Sequence, residues 1–170
     1  MIALATPTAA DAAALTATAT ESFLETFAHL YVQADIDSFV ATTFGPAGLP
    51  AQIGDPRYDI RIHRDAGRIT GFAKLGPLDL PVADPPEGSV ELKQLYVLKP
   101  WQGVGVAAAL MDWAMAEARA RDAPAVYLSV YSDNIRAQRF YTRYGFREIG
   151  RNPYRVGNQI DDDRVWECRF

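Results

Sequence analysis

A short glycine-containing loop, residues 102–107, lies between an extended stretch and a helical run. Pro100 ends the extended stretch, because proline cannot donate a hydrogen bond to a β-ladder. Gly103 and Gly105 let the backbone approach a ligand closely, and the free N–H groups at a helix start attract phosphate. We therefore predict that backbone N–H groups of this loop hold a pyrophosphate; its residues are Gln102, Gly103, Val104, Gly105, Val106 and Ala107.

Two kinds of nucleotide ligand fit such a loop. Gly103-x-Gly105-x-x-Ala108 matches the dinucleotide fingerprint, and Asp133 follows the next strand, where a ribose-binding acid is expected. In that fingerprint, however, the first glycine follows its strand almost at once, whereas five residues separate Val97 from Gly103. The loop also comes too late in the chain for two mononucleotide-binding halves. The spacing therefore disfavours a dinucleotide.

Three segments together favour another ligand. Gln102-Gly-Val-Gly-Val-Ala107 resembles the Gln/Arg-x-x-Gly-x-Gly/Ala signature of the GCN5-related N-acetyltransferase (GNAT) family. Leu95-Tyr-Val97 resembles the family's apolar strand beside the pantetheine arm. Residues 134–146 resemble its later motif, Asn-x-x-Ala-x-x-Phe-Tyr-x-x-x-Gly-Phe. The three segments occur in the family's order and cover roughly residues 58–150.

This resemblance implies acetyl-CoA as cofactor, with coenzyme A as product. It implies that strands 90–97 and 125–130 splay apart to admit the pantetheine arm, and that Tyr141 faces the cofactor sulfur as general acid. A phenol is largely protonated near neutral pH, so it can donate to a departing thiolate. Tyr141 could instead be a core aromatic, and Asn134 is also a natural helix N-cap. Beyond the loop, the implied cofactor contacts are Leu95, Tyr96, Val97, Asn134, Phe140, Tyr141 and Arg143.

Several groups could act as the general base. Glu91 begins the central strand, where some family members place a catalytic glutamate, but it could equally be an ordinary strand-end carboxylate. Its rivals lie on the first two helices, which in the family form the wall beside the acceptor. Glu25 and His29 are four residues apart and so share a helix face. The candidate acceptor-binding residues on this wall are Glu21, Glu25, His29 and Tyr31.

Charge is distributed unevenly along the chain. The net charge is −4, yet all 17 Lys and Arg residues lie from Arg57 onward. The preceding residues are either a solvated acidic surface or a negative wall that attracts a cation. The second interpretation predicts direct acetyl transfer to the primary amine of a small cationic, polyamine-like acceptor. The alternatives are a peptide or protein amine as acceptor, or a non-catalytic acyl-CoA-binding module. The acids before Arg57 are Asp11, Glu21, Glu25, Asp35, Asp37 and Asp55.

Length and composition limit the remaining possibilities. A chain of 170 residues suffices for one domain, residues 1–170. No apolar run reaches the ~20 residues of a membrane span, and no basic segment suggests a signal peptide. The single cysteine, Cys168, fits a reducing, cytoplasmic location and is more typical of a buried apolar residue than of a nucleophile. We expect no metal site, no nucleic-acid partner and no membrane partner; a homodimer remains open.

The elements that must position these residues follow from periodicity. A capping box at Thr8 and Asp11 predicts a helix to about residue 28, and Asp35 or Asp37 could cap a second helix to about residue 43. Further helices are predicted at 105–121 and 134–144, and residues 152–163 are predicted as a polar loop. Helices between strands, after an antiparallel hairpin, indicate a single α/β domain with a mixed central sheet flanked by helices. The predicted strands are 2–5, 58–64, 68–75, 90–97, 125–130, 146–151 and 165–170.

Overall fold

The computed structural model describes residues 2–170. Seven strands form one mixed sheet in the order β1-β2-β3-β4-β5-β7-β6. Between them, β4 and β5 run parallel, and the other neighbouring pairs are antiparallel. The predicted α/β class with a mixed sheet is confirmed. The strands are β1 (Leu4–Ala5), β2 (Asp59–Asp65), β3 (Arg68–Pro77), β4 (Val90–Val97), β5 (Ala125–Tyr131), β6 (Arg147–Val156) and β7 (Gln159–Arg169).

Four α-helices flank the sheet, and local sequence explains where they begin. The capping box at Thr8 is present, and the Thr8 backbone N–H donates to the Asp11 carboxylate at 2.8 Å. Gly105, with φ of +99°, is the N-cap of the third helix, and Asn134 caps the fourth. In residues 2–170 no helix combines the length and the hydrophobicity that crossing a bilayer requires. The helices are α1 (Ala12–Phe27), α2 (Gln33–Thr43), α3 (Val106–Ala120) and α4 (Ile135–Arg143).

The two faces of the sheet carry separate cores. Helix α3 buries Leu110, Met111 and Ala114 against one face, where α4 also packs. Helices α1 and α2 cover the other face with an aromatic cluster in which the Phe23 and Phe39 rings lie 4.4 Å apart. The sheet therefore has one face packed against α3 and α4 and one face, called the aromatic side below, packed against α1 and α2.

The polar loop predicted for residues 152–163 is wrong, because β6 and β7 form one long hairpin through this segment. Its turn contains Gly157, at φ +57°. Pro153 suits β6 because β6 is the edge strand, where a missing N–H donor costs little. The acids of β7 also hid the alternation of apolar and polar residues that would have predicted a strand. Some of these acids point into a polar cleft, where a half-buried strand would otherwise carry apolar residues.

The N-terminal end of α2 also differs from the prediction. Val32 is its N-cap, and Asp35 lies inside the first turn, buried. The Asp35 carboxylate accepts a hydrogen bond from the backbone N–H of Asn158 at 2.8 Å, and a Cβ on Gly157 would overlap Asp35. Asp35 therefore does not cap its own helix, because its side chain holds the tip of the β6–β7 hairpin.

Candidate active site

A cleft of about 970 Å³ opens where β4 and β5 part. The two strands pair only at Val90 with Val126 and at Glu91 with Tyr127. Beyond Glu91 the backbone groups of β4 that face β5 have no ladder partner on that strand. Parallel neighbours that stay paired would close this gap, so the splay predicted for these strands is present and produces a slot beside β4.

A β-bulge in β4 sets which side chains line the slot. Lys74 of β3 pairs with Gln94, and the next residue, Leu75, pairs with Leu92, so Lys93 is the extra residue. The bulge reverses the alternation of side chains along β4. Leu92 and Leu95 consequently pack on the same core, beside α3. Gln94 and the residue two positions later, Tyr96, face the aromatic side and line the cleft.

The loop between β4 and α3 lies at the mouth of the cleft and has the backbone geometry that anion binding requires. Gly103 and Gly105 both adopt positive φ, +80° and +99°. The first helical bond runs from the Ala109 N–H to the Gly105 carbonyl, so the N–H groups just before Ala109 have no helical acceptor. A Cβ on Gly103 would meet no protein atom within 4 Å, so this side of the loop is open to a ligand. These features fit the pyrophosphate of a bound coenzyme A.

Two side-chain contacts hold this loop in place. The Gln102 side-chain amide donates to the Val97 carbonyl at 2.7 Å, and Arg136 of α4 donates to the Gln102 amide oxygen. Arg139 and Arg143 lie one and two turns further along α4 and also line the cleft. Three guanidinium groups on one helix suit the phosphates of the same ligand.

The structure brings most of the predicted cofactor residues to the cleft, with two exceptions. Val104 is 62% exposed and does not line the cleft, whereas Val106 is buried in the core. Both are still within the glycine loop, where their backbone groups, not their side chains, are predicted to act. The predicted residues that line the cleft are Leu95, Tyr96, Val97, Gln102, Gly103, Gly105, Ala107, Asn134, Phe140, Tyr141 and Arg143.

Tyr141 lies in the cleft on α4, whose start is fixed by Asn134. The Asn134 side-chain oxygen accepts from the Ala137 N–H at 3.2 Å, so the predicted N-cap is present. The Tyr141 ring packs beside those of Phe140 and Phe146, with centroids 5.6 and 5.9 Å away. Burial raises the pKa of Tyr141 to about 12. Its hydroxyl is therefore protonated at neutral pH and able to donate.

Glu91 lines the cleft at its closed end, where β4 and β5 still pair. Its carboxylate is already engaged, because it accepts from the Lys93 ammonium and from the Asp79 backbone N–H, each at 2.9 Å. The role of Glu91 as general base stays a prediction.

Of the four residues predicted on the acceptor wall, Tyr31 alone is among the residues that line this cleft. Glu21 forms an ion pair with Arg68 at 2.6 Å, and Glu25 accepts from the Lys99 backbone N–H at 2.9 Å. His29 is exposed. On α1, Ser22 and Thr26 line the cleft instead. Each of them directly follows one of the two glutamates in the sequence.

Two acids that line the cleft lie on β7, and the sequence reasoning missed them. Asp161 and Asp163 are two positions apart on one strand, so their side chains share one face. Tyr31 donates a hydrogen bond to Asp161, and Ser129 of β5 donates one to Asp163 at 3.1 Å. Burial, together with the nearby charges of Asp161 and Asp162, raises the pKa of Asp163 to about 6. The alternating acids at 161 and 163 were the signal available in the sequence.

Two further polar side chains are buried in the cleft wall. Burial, with the charge of Lys93 nearby, lowers the pKa of Lys74 to about 8, and its ammonium donates to the Gln52 amide oxygen at 2.5 Å. Gln94 is 9% exposed, and its amide oxygen has no hydrogen-bond partner among residues 2–170. The aromatic side of the cleft therefore offers an unused hydrogen-bond acceptor as well as two carboxylates.

Comparisons with known proteins agree with this geometry. The model of the acetyltransferase (GNAT) family matches residues 16–146. An uncharacterised N-acetyltransferase from Mycobacterium tuberculosis is 38% identical over 130 residues, which are 76% of this chain and 79% of that protein.

Solved structures share the fold. The PaiA N-acetyltransferase from Thermoplasma acidophilum, in complex with coenzyme A, superposes with a TM-score of 0.80 at 18% identity, over 100% of this chain and 99% of that one. The ribosomal-protein-alanine N-acetyltransferase from Brucella melitensis superposes with a TM-score of 0.72 at 20% identity, over 99% and 100%. With the glycine loop, the splayed strands and the family match, the chain belongs to the GNAT family of acetyltransferases and is an N-acetyltransferase that uses acetyl-CoA.

Proposed function

We propose that this enzyme transfers an acetyl group directly from acetyl-CoA to the primary amine of a small cationic, polyamine-like acceptor. The observation that carries the proposal is the pair of carboxylates, Asp161 and Asp163, on the acceptor side of the cleft. The ion pairs of β7 within the described chain involve Asp162, Arg164, Glu167 and Arg169 instead. Two partly desolvated carboxylates without a basic neighbour favour a ligand that brings its own positive charge.

The chain's residues divide the work between two sides of the cleft. Acetyl-CoA supplies the acetyl group as a thioester, whose sulfur is the leaving group. The glycine loop and the α4 arginines hold the phosphates, and the free backbone groups of β4 beyond Glu91 orient the arm. Tyr141 holds the proton that the departing sulfur needs. Overall, an ammonium and acetyl-CoA yield an amide, coenzyme A and one proton.

The position of Cys168 supports direct transfer. Its side chain is buried in the core beside α3 and lies 3.5 Å from the Tyr144 carbonyl. It is outside the residues that line the cleft. Burial also raises the pKa of its thiol, which reduces the thiolate fraction that could act as a nucleophile. An acetyl-cysteine intermediate is therefore disfavoured.

The acceptor class is tested by a competition. The purified enzyme is given acetyl-CoA with diamines, with a neutral alkyl monoamine, with an alanine-starting peptide and with a lysine-containing protein, and thiol release is followed. We expect the highest kcat/KM for a diamine. We also expect a decrease with added salt, because salt screens the approach of a cationic acceptor from solvent over about 10 Å at 0.1 M ionic strength. A peptide or protein as best acceptor would refute the proposal.

Two variants show which acids attract the acceptor. Asp161→Asn should raise KM for a diamine roughly tenfold, the factor that corresponds to about 1.4 kcal/mol. Glu21→Gln should change it less than twofold, because Glu21 is paired with Arg68 outside the cleft. If Glu21→Gln raised the KM for a diamine more than Asp161→Asn did, the acceptor site would lie at the N-terminal helices instead.

A further inference from the structure

We propose that Asp163, and not Glu91, takes the proton that the acceptor amine loses, and that Ser129 is the residue that positions it. This inference rests on the proposed function, because it assumes an amine that enters the cleft protonated. It adds a catalytic group on a strand that the sequence had not connected with the site.

The position of Asp163 in the sheet is the first argument. It pairs with Tyr131 at the end of β5, whereas Glu91 pairs with Tyr127. Tyr127 and Tyr131 are four residues apart on β5, which corresponds to about 13 Å along the strand. At the level of Tyr127 the strands β4 and β5 are still joined, and at the level of Tyr131 they have parted. Asp163 therefore lies beside the open slot and Glu91 at its closed end.

The hydrogen bonds of the two carboxylates are the second argument. Glu91 already accepts from two donors of the protein, the Lys93 ammonium and the Asp79 backbone N–H, each at 2.9 Å. Within residues 2–170, the Asp163 carboxylate accepts one hydrogen bond, from the neutral Ser129 hydroxyl at 3.1 Å. The Asn152 side-chain amide donates to that same hydroxyl oxygen at 3.1 Å, which directs the hydroxyl hydrogen toward Asp163. The hydrogen bond from Ser129 therefore holds one carboxylate oxygen of Asp163 in place.

The charges around Asp163 are the third argument. Burial raises its pKa to about 6, and Asp161 and Asp162 add to the rise while the Ser129 bond opposes it. Such a carboxylate is ionised at pH 7.5, yet it is a stronger base than an ordinary aspartate. Tyrosines face it from the other elements. The titratable groups around Asp163 are Asp161, Asp162, Tyr31, Tyr96, Tyr131 and Tyr154.

An independent observation points to a donor on the ligand. Gln94 lies on the same face of the sheet as Tyr96, and its buried amide oxygen has no partner in residues 2–170. Such an oxygen costs free energy unless a donor from a ligand or from water reaches it. Gln94 and Asp163 both line the cleft, and an ammonium carries three N–H donors, so a cationic ligand brings the donors that such an oxygen needs.

The balance of the proton transfer is simple. One N–H bond of the ammonium breaks, its electron pair stays on nitrogen, and the proton forms an O–H bond with Asp163. The free pair makes nitrogen the nucleophile. Asp163 releases the proton to solvent after the product leaves, so the carboxylate is restored for the next cycle.

The test compares Asp163→Asn with Glu91→Gln, and uses Asp162→Asn as matched control on the exposed side of the same strand. We expect Asp163→Asn to lower kcat for a diamine by roughly 10²–10³-fold and to remove the acid limb near pH 6 from the profile of kcat/KM. Glu91→Gln and Asp162→Asn should keep that limb. Loss of the limb in Glu91→Gln, or its persistence in Asp163→Asn, would overturn the proposal.

Two further readouts separate a chemical role from a structural one. In the protein alone, ¹³C NMR of the aspartate carboxyls should show a group that titrates near pH 6 and is missing in Asp163→Asn. Ser129→Ala should move the acid limb to higher pH, because the Ser129 bond lowers the pKa of Asp163. No titration near pH 6, or an unmoved limb in Ser129→Ala, would contradict the assignment.

Failure of the proposed function looks different. A wild-type enzyme that acetylates a peptide but no diamine would refute the acceptor class, whatever the NMR titration of Asp163 shows. Calorimetric binding of coenzyme A to each variant confirms that the variant is folded.

Discussion

The Tyr31 hydroxyl donates a hydrogen bond to the Asp161 carboxylate, although the two residues are 130 positions apart in the sequence. This bond joins the segment between α1 and α2 to the inner strand of the last hairpin. Burial, together with the nearby Asp161 and Asp163 carboxylates, raises the pKa of Tyr31, so its phenol stays protonated as the donor.

Tyr31→Phe should reduce the free energy of unfolding by about 1–3 kcal/mol, because a buried carboxylate loses one of its donors. Phenylalanine keeps the stacking on Phe23, whose ring lies 6.0 Å away, so the change isolates the hydroxyl. Urea unfolding measures the difference. Tyr131→Phe, whose hydroxyl makes a 3.4 Å exposed bond to Asp133, is the matched control and should cost less than about 0.5 kcal/mol. Equal losses in both variants would contradict a special role for the bond.

Tyr141→Phe should lower kcat by roughly 10²–10⁴-fold with little change in coenzyme A affinity, since general acid help is lost while the ring remains. Steady-state kinetics and calorimetry measure the two quantities. Tyr144→Phe is the control at the C-cap of the same helix, because its hydroxyl donates to Asp112 of α3 at 2.9 Å. A drop in affinity without a drop in kcat would make Tyr141 a packing residue.

Gly105→Glu should abolish detectable binding of acetyl-CoA, because it places bulk and negative charge at the loop that is predicted to bind the pyrophosphate. The φ of +99° also makes any side chain there strained, at a cost of about 1–2 kcal/mol. Gly54→Glu is the control, since Gly54 has φ of +81°, open space around it and a place outside the cleft. If calorimetry gives Gly105→Glu the affinity of Gly54→Glu, the loop does not bind the pyrophosphate.

Asp163→Asn should make the protein more stable at pH 8 and not at pH 4. The pKa of Asp163 is raised from 3.8 to about 6 on folding, so the folded state resists ionisation of this carboxyl. The resulting penalty is absent below pH 4, develops between pH 4 and 6, and is complete above pH 6. It amounts to at most about 3 kcal/mol.

Urea unfolding of wild type and Asp163→Asn at several pH values tests this. Asp162→Asn should show no such trend, because Asp162 is exposed. A difference between wild type and Asp163→Asn that does not vary with pH would show that the carboxyl is not strained by folding.

The features that could be predicted from sequence are local ones. The glycine loop, the proline before it and the helix after it are contiguous, so spacing alone located the turn with two positive φ angles and the helix start that follows it. Strand β4 has the predicted bounds, Val90–Val97, because its ends are marked by the turn before it and by Pro100 after it. Asn134 and Tyr141 are seven residues apart on one short helix, and both reach the cleft as predicted.

The features that sequence reasoning missed depend on distant contacts. Glu21 and Glu25 are acidic and helical, but the packing of Phe23 fixes the rotation of α1, so that Ser22 and Thr26 face the cleft instead. Asp161 and Asp163 face it only because β7 inserts between β5 and β6. The spacing of nearby residues predicts neither the rotation of a helix about its axis nor the order of strands in a sheet.

The clamp between Asp35 and the hairpin tip has a mechanical consequence. Because Asp35 accepts from the Asn158 N–H, and a Cβ on Gly157 would overlap Asp35, the hairpin tip is held directly against α2. Asp161 and Asp163 lie on β7, the strand that follows this turn, and both line the cleft. A displacement of the hairpin that widened the cleft would therefore have to break the contact with Asp35 or carry α2 with it.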